Sequence, residues 1–257
     1  MNQQTDLARA PRASLDGKVA VIAGGTGAIG RATATRLAAL GASVVVLHRG
    51  DPEVAEEFVE SLPGRHGQVV ASITDSAQLK AAAASVMAQF GRVDILVNSA
   101  GFTRPVPATD LDALTDELID DIFAANWRGL FATIRAFVPM LKQSDDGLIV
   151  NVSSIAGFTG VGSNLAYAAS KAGVDVLTRS LARTLAPAIR VLSVSPGVVD
   201  SSFVPGRGAD FNEKTSATMP LKRIGVPEDV AAAIEACATT LRFSTGNTIV
   251  VDGGRSL

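Results

Sequence analysis

The feature that most constrains this chain is a regular alternation of short apolar runs with longer helical stretches. Strand-like runs fall at 18–23, 43–47, 68–71, 94–98, 148–152, 189–195 and 248–251. The run at 43–47 is continuously apolar after its first residue, as a buried strand requires. Helical stretches lie between them. One runs from the glycine-rich turn at 24–30 to Leu40 and one opens on Asp51-Pro52-Glu53; others cover 75–90, 112–125, 127–142, 165–185 and 230–241. Asp51 followed by Pro52 reads as an N-cap and a first-turn proline, and Gly41 and Gly91 read as helix stops. Strands alternating with helices of ten or more residues predict an α/β fold. The sheet is doubly wound, mainly parallel and seven-stranded, with right-handed crossovers, helices on both faces and ligand sites at the carboxyl ends of the strands.

The 257 residues carry no linker, charge block or change of composition, so one Rossmann-type domain is expected over 15–257. The Gly/Pro-punctuated segment 197–226 is expected to be a loop over the site, with a short helix near 209–217. Residues 1–14 hold Arg9 and Arg12 but no apolar core, which suits a disordered arm and not a signal peptide. The formal charge of −2 leaves no footprint for nucleic acid or an anionic membrane. The uncharged stretch 147–170 is interrupted by Gly, Ser and Asn, and reads as strand plus loop, not as a membrane span. The single cysteine, Cys237, rules out an internal disulfide and suits a reducing, cytoplasmic setting; in an apolar helix it reads as an inert thiol. His48 and His66 have no ligand cluster around them, so no metal is expected.

Gly24, Gly27 and Gly30 lie between the first strand and the first helix. A turn of this kind lets the backbone approach a pyrophosphate at a helix N-terminus, so a dinucleotide is the expected cofactor. The residue at the end of the second strand, roughly twenty positions on, selects the ribose. An acid there holds the 2′-hydroxyl of NAD, but this chain has His48-Arg49. Arg49 suits a 2′-phosphate, so NADP(H) is expected in preference to NAD(H). Asp51 is the rival ribose ligand, but its role as an N-cap occupies it.

Tyr167 and Lys171 are four apart on a predicted helix, roughly 40° apart around its axis. A lone phenol titrates near ~10. A neighbouring ammonium favours the phenolate and brings the group toward working pH. Ser154, thirteen residues upstream of the tyrosine, supplies a hydroxyl that can hold a carbonyl or alcohol oxygen against the phenol. Each residue also has an ordinary alternative: a core tyrosine, a solvated lysine, a turn-bonding serine, and for Asn126 a helix cap.

Together these residues resemble the short-chain dehydrogenases/reductases over about 18–254. Ala23-Gly24-Gly25-Thr26-Gly27-Ala28-Ile29-Gly30 is similar to their Thr-Gly-x-x-x-Gly-x-Gly, and Asn98-Ser99-Ala100-Gly101 to their Asn-Asn-Ala-Gly. Asn126, Ser154, Tyr167 and Lys171 match the family's catalytic tetrad. Ala23, Ala28 and Ser99 depart from the pattern, as does Ser72 where the family often has an aspartate. The resemblance implies cofactor contacts from Gly24, Thr26, Gly27, Ile29, Gly30, His48, Arg49, Ser72, Ile73, Asn98, Ala100 and Gly101. It implies further contacts from Tyr167, Lys171, Pro196, Gly197, Val199 and Ser201. It also implies that Lys171 holds the nicotinamide ribose, that Asn126 holds a water leading to solvent, and that the chain is a homotetramer or a dimer.

The reaction so implied interconverts a ketone and a secondary alcohol. Phe102, Arg104, Ile155, Phe158, Val161, Val198 and Phe203 are expected around the substrate, which favours a largely apolar small molecule. A family branch reduces 3-oxoacyl chains on carrier protein or CoA. Asp145 and Ala188 stand where that branch has basic docking residues, which lowers the carrier substrate without removing it. The competing class is a regulator that senses NADP without turnover. Such relatives commonly lose the tyrosine or lysine, and this chain keeps both.

Overall fold

The computed structural model describes residues 14–206, 208 and 210–257. All but Ser14 of the arm expected over 1–14 therefore lies outside the described residues. The strands are β1 (Val19–Ala23), β2 (Ser43–His48), β3 (Gly67–Val70), β4 (Ile95–Asn98), β5 (Gly147–Val152), β6 (Ile189–Pro196) and β7 (Thr248–Val251). They form one sheet in the order β3-β2-β1-β4-β5-β6-β7. Each adjacent pair is parallel, where the sequence predicted a mainly parallel sheet.

Strand periodicity divides the core in two. Ile22, Val44, Val46, Val97, Val150 and Val194 pack on one face against Leu37 of α1 (Ala28–Ala39) and Ile234 of α9 (Pro227–Thr239). Val21, Val45, Leu96, Ile149 and Val191 face the other way. They meet Leu79 of α3 (Ser76–Phe90), Phe137 of α5 (Leu130–Leu141) and Val174 of α7 (Leu165–Leu185). Covered on both faces, the strands read as nearly unbroken apolar runs in the sequence. The remaining helices are α2 (Pro52–Glu60), α4 (Asp116–Phe123), α6 (Ala156–Thr159) and α8 (Phe211–Thr218). Among the described residues no helix is long and apolar enough to cross a membrane.

Local chemistry moved several boundaries. Thr115 caps α4 by accepting from the Leu118 N–H, so that helix starts four residues later than predicted. Pro227 at the first helical position starts α9 three residues earlier. The two predicted helices at 112–125 and 127–142 are joined through a π-turn, Ala124–Gly129. The stretch after β5, read from the sequence as loop, contains α6, which Gly160 ends at φ 72°. Cys237 is fully buried, and burial pushes its thiol up to about 11.

One buried carboxylate fixes the floor of the sheet. Asp94, 1% exposed, accepts from the Val19 N–H at 2.9 Å, from Ser144 Oγ at 2.5 Å and from Arg92 at 2.6 Å and 2.8 Å. Burial alone raises its pKa, but Arg92, Ser144 and the Val19 amide outweigh it and hold the group below its ordinary value. A depressed carboxylate stabilises the fold above its unfolded pKa, and that contribution is lost as pH falls through the folded value. Asp94→Ala is expected to cost about 2 kcal/mol at pH 7, because it leaves the Val19 amide, Arg92 and Lys18, whose Nζ lies 3.5 Å from Asp94 Oδ1, without their acceptor. Denaturant melts at pH 7 and below pH 3 check this: the gap between the two proteins should narrow in acid.

Candidate active site

β1 leads outward to β2 and β3, whereas β4 leads to β5, β6 and β7. A crevice therefore opens where the carboxyl ends of β1 and β4 diverge. Gly24 stands at its floor with φ 77°, and a Cβ there would lie 2.6 Å from Ala100 N. A Cβ on Gly30 would lie 2.2 Å from Gly24 O. The turn thus folds onto itself and onto the β4 loop with no room for side chains. The N-terminus of α1 has no side-chain cap and no acid in its first turn. Its N–H groups and positive dipole end remain for an anion. Gly27, Ala28 and Ile29 at this end line a cavity of about 690 Å³. The turn therefore fits the pyrophosphate of a dinucleotide.

The other end of that cavity holds the predicted acid–base residues. Asn164 caps α7, its Oδ1 accepting from the Tyr167 N–H at 2.7 Å. The cap places Tyr167 in the first turn and Lys171 in the second. Both are buried, at 9% and 4% exposure, and both line the cavity with Ser154. The Lys171 amine lies 5.7 Å from the Tyr167 ring centroid and donates to Val152 O at 2.7 Å. It is therefore not a solvated helix lysine. Burial lowers its pKa to about 8, against the opposing pull of Asp175. Ser154 Oγ accepts from the Ala156 N–H at 3.2 Å at the start of α6.

Beneath α7 a polar row crosses four strands. Asn98, Asn151, Ser193 and Thr248 are register partners on β4, β5, β6 and β7. Asn98 Nδ2 donates to Asn151 Oδ1 at 2.9 Å, and Asn151 Nδ2 donates to Thr178 Oγ1 at 2.9 Å. Asp175, one turn beyond Lys171, accepts from Ser193 Oγ at 3.0 Å and from Thr248 Oγ1 at 3.3 Å. This row holds the buried carboxylate beside the lysine. It also takes up the Asn98 Nδ2, and Asn98 does not line the cavity while its neighbour Ser99 does.

Asn126 sits in the π-turn, 1% exposed. Its Oδ1 accepts from the Phe102 N–H at 2.7 Å, and its Nδ2 donates to Phe102 O at 2.9 Å and to Ser170 Oγ at 3.3 Å. The side chain thus clamps the β4 loop to α7 and is not a helix cap. An i→i+5 turn of this kind is common at functional sites.

Ile155, Val161, Val198 and Phe203 line the cavity as predicted, as do Gly101, Pro196, Gly197, Val199 and Ser201. The Phe203 ring lies 6.1 Å from that of Tyr167. Three predicted pocket residues do not line it. Phe102 is held by the Asn126 clamp and packs with Val106 and Ile122. Arg104 is exposed, with its carbonyl accepting from Asn164 Nδ2 at 2.8 Å. Phe158 is 53% exposed on α6. In their place the structure supplies Pro105, Val204, Pro205, Phe211 and Arg255.

At the end of β2, Asp51 accepts from the Glu53 N–H at 2.9 Å and is occupied as a cap. His48 is buried, its Nε2 2.9 Å from Gln68 Oε1 on β3, so its ring belongs to the sheet edge. That leaves Arg49 as the exposed side chain at this strand end. Thr26 O accepts from Arg31 Nε at 3.0 Å. Ser72 Oγ lies 2.9 Å from Thr74 Oγ1, and Ile73 packs on Gly129. Ser72 and Ile73 lie outside the cavity, just past the carboxyl end of β3, as Arg49 does past that of the parallel β2.

A parallel sheet of this order, a side-chain-free phosphate turn and a buried Tyr–Lys pair in one crevice define a nucleotide-dependent oxidoreductase. A family model described as enoyl-(acyl carrier protein) reductase matches residues 24–256. A Streptomyces violaceoruber protein, whose name ascribes to it ketoacyl reductase 2 of the granaticin polyketide synthase, is 38% identical over 255 residues, covering 98% of this chain and 99% of that one. The 3-oxoacyl-[acyl-carrier-protein] reductase FabG of Thermotoga maritima is 35% identical over 244 residues, covering 93% and 98%. The solved short-chain dehydrogenase/reductase of Brucella melitensis, described as a glucose/ribitol dehydrogenase, is similar at a TM-score of 0.87 and 30% identity over 95% of this chain and 98% of that one. The chain belongs to the short-chain dehydrogenase/reductase family, and it is an oxidoreductase acting on ketones and CH–OH groups.

Proposed function

We propose that this chain is an NADP(H)-dependent reductase of a largely apolar ketone, with Asn126, Ser154, Tyr167 and Lys171 as its catalytic residues. The carrying observation is that Ser154, Tyr167 and Lys171 open into one cavity that begins at the uncapped N-terminus of α1. A bound nicotinamide supplies the hydride in reduction and takes it in oxidation. Ser154 Oγ and the Tyr167 hydroxyl hold the substrate oxygen, and the tyrosine gives that oxygen a proton. The Lys171 ammonium favours the phenolate left behind. Asn126 has committed its side chain to Phe102 and Ser170. By the family resemblance, Asn126 is also the residue that holds the water replenishing the proton.

The charge on Lys171 sets an upper pH limit. Because burial brings its pKa down to about 8, the ammonium is present below that value and lost above it. The kcat/KM for ketone reduction is expected to fall as pH rises through about 8. Asp175→Asn removes the charge that opposes this shift, so its alkaline limb should move to lower pH. Initial rates between pH 6 and 10 at fixed, subsaturating ketone check both profiles.

Arg49 supports NADP over NAD, because among the candidates at the end of β2 it alone is both cationic and exposed. Turnover at equal concentrations of NADPH and NADH tests this; a marked preference for NADH overturns it. A Arg49→Ala variant is expected to raise the KM for NADPH at least tenfold and leave that for NADH within about twofold. The reading also includes a homotetramer or dimer in a reducing, cytoplasmic setting. The names of the relatives favour a second reading within enzymes, a 3-oxoacyl reductase acting on carrier protein or CoA. Comparing rates on a free ketone, an acyl-CoA and an acyl carrier protein separates the two.

A further inference from the structure

Among the described residues lining the cavity there is no carboxylate, and the two cations are Lys171 and Arg255. Lys171 is buried and bonded to Val152 O. Arg255 is exposed, and its guanidinium has no ion-pair partner among the described residues. It also lines a second opening together with Ile155, Thr159 and Val161. It thus adjoins Ile155 and Val161, two of the residues expected around the substrate.

The backbone that carries Arg255 is fixed. Asp252 Oδ1 accepts from the Gly254 N–H and Oδ2 from the Ser256 N–H, both at 2.9 Å. Arg255 N donates to Asp252 O at 3.2 Å. Gly253 and Gly254, at φ 63° and 83°, press against Met219 and Pro220, where a Cβ would meet atoms at 2.9 Å and 2.8 Å. Leu221 N donates to Gly253 O at 3.2 Å. The C-terminal turn is thus locked to the segment before α9 with its arginine at the cavity. A cation beside apolar cavity walls draws an anion, and a guanidinium matches a carboxylate in bidentate fashion; the nearby Asp252 carboxylate is taken up by the Gly254 and Ser256 amides.

We infer that Arg255 is a substrate-anchoring residue, and that the preferred substrate is an oxo acid whose carboxylate lies apart from the ketone. The inference rests on the reductase reading above and names its substrate class. The test uses a series of medium-chain oxo acids, each paired with its methyl ester, on the full chain with NADPH. The wild type is expected to show a lower KM for one acid than for its ester. Arg255→Met should raise that KM at least tenfold, the usual scale for one charge-assisted hydrogen bond. It should leave the ester and NADPH KM values unchanged, and Arg255→Lys should restore part of the loss. An equal effect on acid and ester, or a matching rise in the NADPH KM, overturns the inference and leaves the reductase intact. Should the wild type reduce neither member of any pair, the reductase reading with these substrates fails. Calorimetric titration of the cofactor-loaded protein with unreactive alkanoates of the same lengths then decides the anchor alone. Weaker binding to Arg255→Met supports it, and equal binding overturns it.

Discussion

Tyr167→Phe is expected to lower kcat for ketone reduction by at least ~10²-fold, the usual scale for a positioned acid–base group. The phenyl ring keeps the packing against Phe203, and the variant removes one oxygen from a residue that is 9% exposed. The melting temperature and the Kd for NADPH should therefore change little. This combination separates a catalytic hydroxyl from a core tyrosine, whose loss would be felt in stability and not in turnover. Stopped-flow single turnovers, with melting curves on the same samples, make the comparison. Retained turnover in a folded variant would remove the proton donor from the mechanism and revive the regulator as the alternative.

Gly30→Ala is expected to abolish saturable NADPH binding and to destabilise the fold by about 3 kcal/mol. Helix propensity alone argues the opposite, since alanine is better than glycine inside a helix by about 1 kcal/mol. Sterics win here because the new Cβ would sit 2.2 Å from Gly24 O and 2.7 Å from Gly25 Cα. Both are backbone atoms of a turn already pinned to Ala100, and neither can rotate away. The neighbouring Gly27→Ala is the control, because its Cβ would meet only Gly24 O, at 3.3 Å. That variant should keep its stability within about 1 kcal/mol of wild type. Equal losses from the two substitutions would show that the packing of the turn is not what Gly30 preserves.

The parts of the site that were legible in the sequence are those set by local spacing. Tyr167 and Lys171 share a face because any helix brings residues four apart together. The Asn164 cap, three residues before Tyr167, came from the structure and fixes where that face begins. The pocket walls were not. Arg104 and Phe158 stand in the right loops, yet both point away, because Asn164 holds the Arg104 carbonyl and α6 turns Phe158 to solvent. Asn98, expected on the cofactor, also gives its Nδ2 to Asn151, its register partner, a contact between strands that local spacing does not reveal. Nothing near Arg255 in sequence marks it, since it reaches the cavity through packing of Gly253 and Gly254 on Met219 and Pro220.

The amino-acid sequence by itself determined the α/β alternation, the glycine turn before α1, and the four-residue spacing of phenol and amine. Each follows from periodicity or backbone freedom within a few consecutive residues. The tertiary structure decided which charges are buried, how the Asn126 side chain is bonded and which exposed cation lines the cavity. Those depend on contacts between residues tens of positions apart, and the chain's local pattern carries no record of them.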